Sequence, residues 1–164
     1  MTSRTDRWTI LRPGTFATNL LSWAHPIRSG WPIRAPYLSS AQAPIHEADV
    51  AEAAAAALLH DDWIGQALPL TGPEALTRSQ QVAAIGAGIG RDLPVQEISP
   101  EEFRAEMAAY VPDAILTMLL DYWRDTVTMP GVPRPVTPVT GRPGRRLEEW
   151  ARDHRGEFAA VVPS

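Results

Sequence analysis

The sequence has no cysteine and no lysine, and each absence excludes a kind of chemistry. Without cysteine the chain has no disulfide bond, no thiolate nucleophile and no thiolate metal site. All 15 side chains counted as lysine or arginine are arginine, so Schiff-base chemistry and a P-loop lysine are also excluded. Long apolar runs are lacking as well. No stretch approaches about 18 consecutive apolar residues, so the sequence predicts no membrane-spanning helix.

What remains is the composition of an ordinary globular domain. The 164 residues are 45% hydrophobic and 21% charged, which is enough for one domain with its own core. The net charge of −4 is unfavourable for general nucleic-acid binding. Residues 1–7 are polar and charged and lack the apolar centre of a signal peptide. We therefore expect a cytoplasmic protein without membrane attachment.

Three segments predict strands. Residues 8–12 are apolar at both alternating positions, which is typical of a parallel strand buried between helices, and a Pro-Gly pair ends the segment. Residues 66–70 and 93–98 predict two further short strands. Because helical patterns separate these segments, we expect an α/β fold with a parallel sheet of the Rossmann type.

Helical segments lie between and after the strands. Residues 47–59 are rich in alanine and begin with two acidic side chains, which favour the N-terminus of a helix. Thr77 and Ser99 each begin a capping box, the pattern in which two side chains satisfy free N–H groups at a helix start. Further helices are predicted at residues 15–23, 112–127 and 147–158. Proline-rich loops are predicted at residues 25–44, with a short extended piece around residues 31–34, and at residues 129–144.

Four motifs occur in an order that is typical of a known family. They are the strand-like run at residues 8–14, the segment Pro-Ile-His-Glu-Ala-Asp at the start of residues 44–53, the Leu-Thr-Gly-Pro-Glu segment at residues 70–77, and Thr-Gly-Arg-Pro at residues 140–143. In this order they resemble the C-terminal half of NmrA-like proteins, the atypical short-chain dehydrogenase/reductase group that binds NAD(P). The resemblance covers residues 8–158.

The resemblance implies an incomplete domain. Residues 1–164 would form one NAD(P)-binding unit of the Rossmann type, with residues 1–72 as a remnant of its sheet and residues 73–164 as a mostly helical substrate-side region. The N-terminal nucleotide-binding half, which carries the phosphate cradle, would lie outside the sequence. We therefore expect the isolated chain to bind NAD(P) weakly or not at all. Without lysine the Tyr-x-x-x-Lys pair of catalytic members cannot form, and we assign no catalytic residue.

The turn after the first strand is the main candidate site, because ligands of open α/β sheets bind beyond the carboxyl ends of the strands. In the family this turn borders the nicotinamide ring. The resemblance therefore implies a cofactor side formed by Pro13, Gly14, Thr15 and Phe16, and a substrate side that includes Asn19, Trp23 and His46. A purely structural alternative stays open, in which the Pro-Gly pair only ends the strand and the aromatic side chains belong to the core.

Three other clusters have structural explanations beside functional ones. The glycine-rich residues 86–90 lack the spacing of a dinucleotide fingerprint and favour a helix C-terminus, with Gly90 just past its end. The acidic helix start at residues 46–49 favours a capping or scaffold role for Asp49 over a metal site. The arginine cluster at residues 142–146 offers a phosphate-binding role but favours a strap across the surface.

The resemblance implies a parent that acts as an NAD(P)H-dependent oxidoreductase on a small carbonyl or quinone-like compound. This chain would take part when the N-terminal half is supplied in trans or when the true start lies upstream. Two alternatives remain: a non-catalytic redox-sensing or protein-binding module, and a truncated gene product without activity. An open sheet edge also predicts association of the chain with itself or with the missing half.

Overall fold

Within residues 7–160, which the computed structural model describes, the strands form three two-stranded sheets. The first pairs β1 (Thr9–Pro13) with β4 (Gln66–Leu70) in parallel. Helix α2 (Glu47–Leu59) lies in the connection between these strands. This unit has the β-α-β arrangement of a Rossmann-type sheet. The bounds of α2 and β4 are those predicted from the sequence.

The other two sheets join distant parts of the chain. Strand β2 (Ile33–Ala35) runs parallel to β6 (Val95–Glu97), and β3 (Ala41–Gln42) runs antiparallel to β5 (Leu76–Thr77). The prediction of a parallel sheet therefore holds for two of the three pairs. Both sheets link a strand before residue 72 to one after it, and the predicted division of the chain at that point stays a prediction.

Two of the helices begin where capping side chains predict them. Thr77 and Ser99 both form the predicted capping boxes, and Gly90 ends its helix in the left-handed conformation with φ of 72°. The remaining α-helices are α1 (Ala24–Ser29), α3 (Arg78–Ile89), α4 (Pro100–Met107), α5 (Asp113–Thr128), α6 (Thr137–Thr140) and α7 (Leu147–Asp153). Three 3₁₀ helices span Ala17–Trp23, Asp61–Trp63 and Arg155–Phe158.

The long loop predicted for residues 25–44 was wrong, because α1 and β3 lie within it, although the extended piece predicted around residues 31–34 overlaps β2. The helical segment after β1 begins at Ala17 as a 3₁₀ helix and continues as α1 to Ser29. Pro26 is tolerated because it lies in the first turn of α1, where its missing N–H is not needed. Gly30 ends the helix with φ of 71°, and the chain then forms β2 and β3.

Strand β1 is covered on one face only, although its sequence predicts burial on both. Leu11 packs against the core beneath α2, whereas Ile10 and Trp8 are each 45% exposed. Among the described residues β1 pairs only with β4, so its other edge carries free backbone groups. Both the outer face and the outer edge of this strand are therefore open.

Two hydrophobic cores hold the elements together. The smaller lies beneath α2 and includes Ile45, Ala53, Leu68, Leu70 and Val136. The larger joins the first 3₁₀ helix, α1, β2, α3 and α7. Its fully buried members include Ala17, Ile27, Ile33, Ile85, Trp150 and Phe158.

Glycines let α3 and α7 approach closely inside the larger core. A Cβ built on Gly88 would come within 2.7 Å of Ala151 Cβ and closer still to the Glu148 carbonyl oxygen. One built on Gly86 would lie 2.5 Å from the Arg91 carbonyl oxygen. The glycine-rich segment is therefore a packing surface, which supports the rejection of a nucleotide-binding role.

Candidate functional site

The turn at residues 13–16 is held by two neighbouring segments. Gly14 N donates a hydrogen bond to Leu70 O at 2.8 Å, which ties the carboxyl ends of β1 and β4 together. Thr15 O accepts a hydrogen bond from Ile45 N at 2.8 Å, and Ala17 N donates to Ile45 O at 2.9 Å. The turn is thus fixed at the sheet edge where ligands of α/β proteins bind.

Gly14 is exposed and leaves room in front of the strand end. A Cβ at this position would meet Thr71 Cγ2 at 3.5 Å and Leu70 O at 3.7 Å, which are ordinary contacts. Neither packing nor a positive φ therefore requires glycine here. Beside it Pro13 ends β1, and Phe16 packs partly buried against the smaller core. The structure thus accounts for Phe16 by packing, while Gly14 is exposed and Thr15 is half-buried.

Tyr122 reaches this turn from the other half of the chain. Its Oη lies 3.3 Å from Thr15 Oγ1, and either hydroxyl can donate the hydrogen bond. The tyrosine lies on α5 and is 43% exposed, so the hydroxyl pair is accessible to a small molecule. Sequence reasoning missed Tyr122, since 107 residues separate the pair.

A pattern in α5 could have drawn attention to Tyr122. Ile115, Met118 and Tyr122 follow one another at helical spacing, and all three are exposed. An apolar helix face that no described element covers is typical of a binding surface. Because its last member touches Thr15, this face lies next to the turn at residues 13–16.

The predicted substrate-side residues do not share one environment. Asn19 is exposed on the 3₁₀ helix that follows the turn. Trp23, four residues later, is buried in the larger core and lies with its ring centroid 5.4 Å from Arg78 Cζ. The assignment of both to a substrate pocket stays a prediction.

His46 has a structural role at the start of α2. Its Nδ1 accepts a hydrogen bond from Ala48 N at 3.1 Å, and its Nε2 lies 3.4 Å from Asp153 Oδ2. The side chain is buried. These contacts direct the imidazole toward α7, and its predicted place in the substrate pocket stays a prediction.

The acidic side chains of α2 bind the arginine cluster. Asp49 is buried and accepts hydrogen bonds from Arg145 N at 2.7 Å and from the Arg145 guanidinium. Glu52 pairs with Arg145 Nη2 at 2.8 Å and also with Arg142. Asp49 is thus a scaffold residue, as predicted. Because its guanidinium groups are paired with carboxylates, the arginine cluster at residues 142–146 forms a strap. The part of the chain described here contains no group of residues suited to a metal ion.

The hydrogen bonds of the strap shift the pKa values of Glu52 and Arg145. Hydrogen bonds from Arg145, and to a smaller extent from Arg142, hold the pKa of Glu52 below its ordinary value. Those from Glu52 and then Asp49 raise the pKa of the Arg145 guanidinium above its ordinary value. These groups are therefore charged at neutral pH, and they hold the C-terminal segment on α2.

Sequence relatives of the chain are reductases. No protein-family model matches the sequence. The chain is 38% identical over 154 residues to the (4-alkanoyl-5-oxo-2,5-dihydrofuran-3-yl)methyl phosphate reductase of Streptomyces griseus, which covers 93% of this chain and 55% of that protein. It is 31% identical over 157 residues to an NAD(P)H azoreductase of Xenophilus azovorans, covering 94% and 55%. The chain thus spans about half the length of the curated relatives it matches.

Solved structures share the fold. The NADPH complex of an NADPH-dependent quinone oxidoreductase from Escherichia coli superposes with a TM-score of 0.74 at 23% identity, over 91% of this chain and 54% of that one. The NADP(H) complex of a triphenylmethane reductase from Citrobacter gives a TM-score of 0.72 at 16% identity, over 90% and 53%. At these identities the likeness shows the fold alone.

Fold and sequence together define part of a Rossmann-like α/β domain that is similar in sequence to reductases. This agrees with the resemblance to the C-terminal half of NmrA-like proteins, since the chain spans about half the length of these relatives. No helix in the described part of the chain is both long and apolar enough to cross a membrane.

The nicotinamide end is the part of an NAD(P) site with which the described residues can be compared. Gly14 is exposed and Thr15 half-buried at the carboxyl end of β1, the edge where ligands of α/β sheets bind. Within residues 7–160 no glycine-rich turn suits the pyrophosphate, because Gly86 and Gly88 are packed against other backbone. The assignment of residues 13–16 to the nicotinamide end of the cofactor stays a prediction.

Proposed function

We propose that this chain forms the substrate-side part of an NAD(P)H-dependent reductase that acts on small carbonyl, quinone or azo compounds. The observation that carries the proposal is the contact between Tyr122 Oη and Thr15 Oγ1. It places an accessible acidic proton beside the turn at the carboxyl end of β1. A reduction by hydride needs such a proton, because the substrate's oxygen or nitrogen gains negative charge as its neighbour accepts the hydride.

Each residue of the pair has a separate task. NAD(P)H, when bound, supplies the hydride. Tyr122 holds a proton on its hydroxyl and gives it to the substrate heteroatom, while Thr15 fixes the direction of that hydroxyl by hydrogen bonding. Solvent returns the proton, since Tyr122 is partly exposed. This arrangement does not use the Tyr-x-x-x-Lys pair, which a chain without lysine cannot form.

The surroundings of the pair suit an apolar substrate. Ile115 and Met118 extend the exposed face of α5 away from Tyr122, so an aromatic or alkyl body can lie along the helix while its polar group meets the hydroxyl. The two curated relatives are a reductase of a dihydrofuranone methyl phosphate and an NAD(P)H azoreductase. We infer the same broad substrate class for this chain.

Binding of the cofactor's phosphates would need a second contribution. Among residues 7–160 no phosphate-binding turn is present, so we assign that task to a nucleotide-binding half, which the resemblance to NmrA-like proteins implies. The open edge of β1 is where such a part would add its strands. We expect the chain as given to bind NADPH very weakly.

A chimera tests the proposal. The part of the Streptomyces griseus reductase that this chain does not match is joined to the chain, and NADPH consumption is followed by its fluorescence with a quinone, an azo dye and a phosphorylated enone. We expect consumption by the chimera and none by the chain alone. A folded chimera that binds NADPH but consumes it with none of these compounds would contradict catalysis and favour the regulatory alternative.

A further inference from the structure

Arg78 is a buried cation without a counter-ion. The residue is 5% exposed, and its Nε is buried with no hydrogen-bond partner. Within residues 7–160 its guanidinium makes no hydrogen bond and no ion pair. Most other arginines of the described chain contact carboxylates, as Arg145, Arg146 and Arg124 do. Buried charged groups are normally paired, so this one calls for an explanation.

The guanidinium lies between two indole rings. Its Cζ is 4.0 Å from the centroid of Trp123 on α5 and 5.4 Å from that of Trp23. Stacking on aromatic faces partly compensates a buried cation but does not satisfy its N–H donors. Burial lowers the pKa of Arg78 to about 10, so the side chain is still charged at neutral pH.

The polar side chains nearby are already paired with one another. Ser40 Oγ lies 2.7 Å from Thr126 Oγ1, Gln42 Nε2 donates to Thr126 Oγ1 at 3.0 Å, and Gln81 Nε2 donates to Gln42 Oε1 at 3.0 Å. All four are buried. Arg78 shares this environment, because its backbone N donates to Ser40 O at 3.0 Å. The one group of this cluster that keeps unused donors is the guanidinium.

We propose that Arg78 binds an oxyanion of the small-molecule substrate, a phosphate monoester or a carboxylate. A guanidinium presents a planar set of donors that matches both groups, and a buried setting strengthens the interaction. The two indoles flank that plane, with centroids 4.0 and 5.4 Å from Cζ. The inference rests on the proposed function for the statement that the ligand is a substrate. It adds that the substrate is anionic.

Direct binding tests the inference without NADPH. Phenyl phosphate is titrated into the chain by calorimetry, with phenol as the neutral control, and tryptophan fluorescence reports on Trp123. We expect saturable binding of phenyl phosphate but not of phenol. Arg78→Met should weaken it roughly tenfold or more, and Arg78→Lys should keep part of it. Arg124→Met removes the same charge from the surface of α5 and should leave binding unchanged.

Stability separates a binding role from a packing role. If Arg78 is kept for a ligand, Arg78→Met should leave the melting temperature unchanged or raise it, because an unpaired buried charge is replaced by an apolar chain of similar length. If the arginine serves only to join the indoles, Arg78→Met should lower the melting temperature, and the parent should not bind phenyl phosphate. That pair of results would overturn the proposal.

Two further outcomes assign the ligand and separate the two proposals. Displacement of phenyl phosphate by AMP at equal affinity would move the site to the cofactor's phosphate and overturn its assignment to a substrate. Because phenyl phosphate binding is measured without NADPH, an inactive chimera would contradict the proposed function and leave this measurement intact. If the chimera is active but the parent chain does not bind phenyl phosphate, the inference about Arg78 is overturned and the proposed function stands.

Discussion

The carboxylate of Asp49 accepts a hydrogen bond from the backbone N of Arg145 at 2.7 Å, although 96 residues separate them in the sequence. The same carboxylate contacts the Arg145 guanidinium. One buried side chain on α2 therefore holds the backbone of the segment that leads into α7 and also pairs with its arginine side chain. The C-terminal helix owes its place partly to this contact.

We expect Asp49→Asn to lower the free energy of unfolding by about 2 kcal/mol, because the change leaves a partly buried guanidinium with a weaker partner. Urea denaturation measures the difference. Asp121→Asn is the matched control, since Asp121 forms an exposed ion pair with Arg124, and its loss should change stability by less than about 1 kcal/mol. Equal effects of the two substitutions would show that the strap does not depend on Asp49.

Glu52 gives the strap a dependence on pH. Its pKa in the folded chain is below the ordinary 4.5. A carboxylate with a lowered pKa contributes stability that is full above its unfolded pKa and is lost as the pH falls through the folded pKa. The stability difference between the parent and Glu52→Gln should therefore be largest near neutral pH and shrink below about pH 4.5. Urea titrations at several pH values measure it, and a difference that grew on acidification would contradict the pairing.

Gly88→Ala should destabilise the protein even though alanine favours helices. A Cβ at this position would lie within 2.7 Å of Ala151 Cβ, so α3 and α7 would have to separate. Overpacking of this kind outweighs the helix propensity gained, and we expect a net loss of about 1–2 kcal/mol. Thermal melting measures the loss. Gly131→Ala is the control, because a Cβ at Gly131 meets no atom within 4 Å.

Tyr122→Phe tests the proton donor. In the active chimera we expect kcat to fall roughly a hundredfold or more while NADPH binding and the melting temperature stay unchanged, because only the hydroxyl is removed. Tyr110→Phe, at an exposed tyrosine just before α5, is the control and should keep full activity. An unchanged kcat in Tyr122→Phe would mean that the proton comes from another group.

Ile10→Arg tests the open face of β1. Ile10 is exposed on a strand whose outer edge is free among the described residues, an arrangement that favours association. We expect the parent to sediment as an associated species and Ile10→Arg to shift it toward the monomer. Val132→Arg, at a position that is 70% exposed in the proline-rich segment at residues 129–144, should not shift it. A parent that sediments as a monomer at high concentration would contradict the prediction.

The sequence predicted elements whose signals are local. The alanine-rich run gave the bounds of α2, and the side chains of Thr77 and Ser99 gave the starts of α3 and α4. The extended piece predicted around residues 31–34 overlaps β2, whereas β3 was not predicted, since it has two residues and exists through a partner far along the chain. Short strands carry too little periodicity to be read alone.

In the candidate site, too, only the part with a local sequence signal could be predicted. The turn at residues 13–16 follows a recognisable strand end, so its place could be predicted. Tyr122 and Arg78 could not, because a tyrosine on a helix face and an arginine at a helix start are ordinarily exposed surface residues. Only the packing of α5 against Thr15 and of α3 against Trp123 makes them unusual.

None of the three strand pairs in residues 7–160 is a hairpin. Thr9 pairs with Gln66, Ile33 with Val95 and Ala41 with Thr77. Each pairing closes a loop of more than thirty residues, whereas the helices need only neighbouring residues. Helices such as α2 and α3 should therefore form early on the folding pathway and the sheets late. During that interval the apolar strands are exposed, so this chain should fold slowly and need protection from aggregation while it does so.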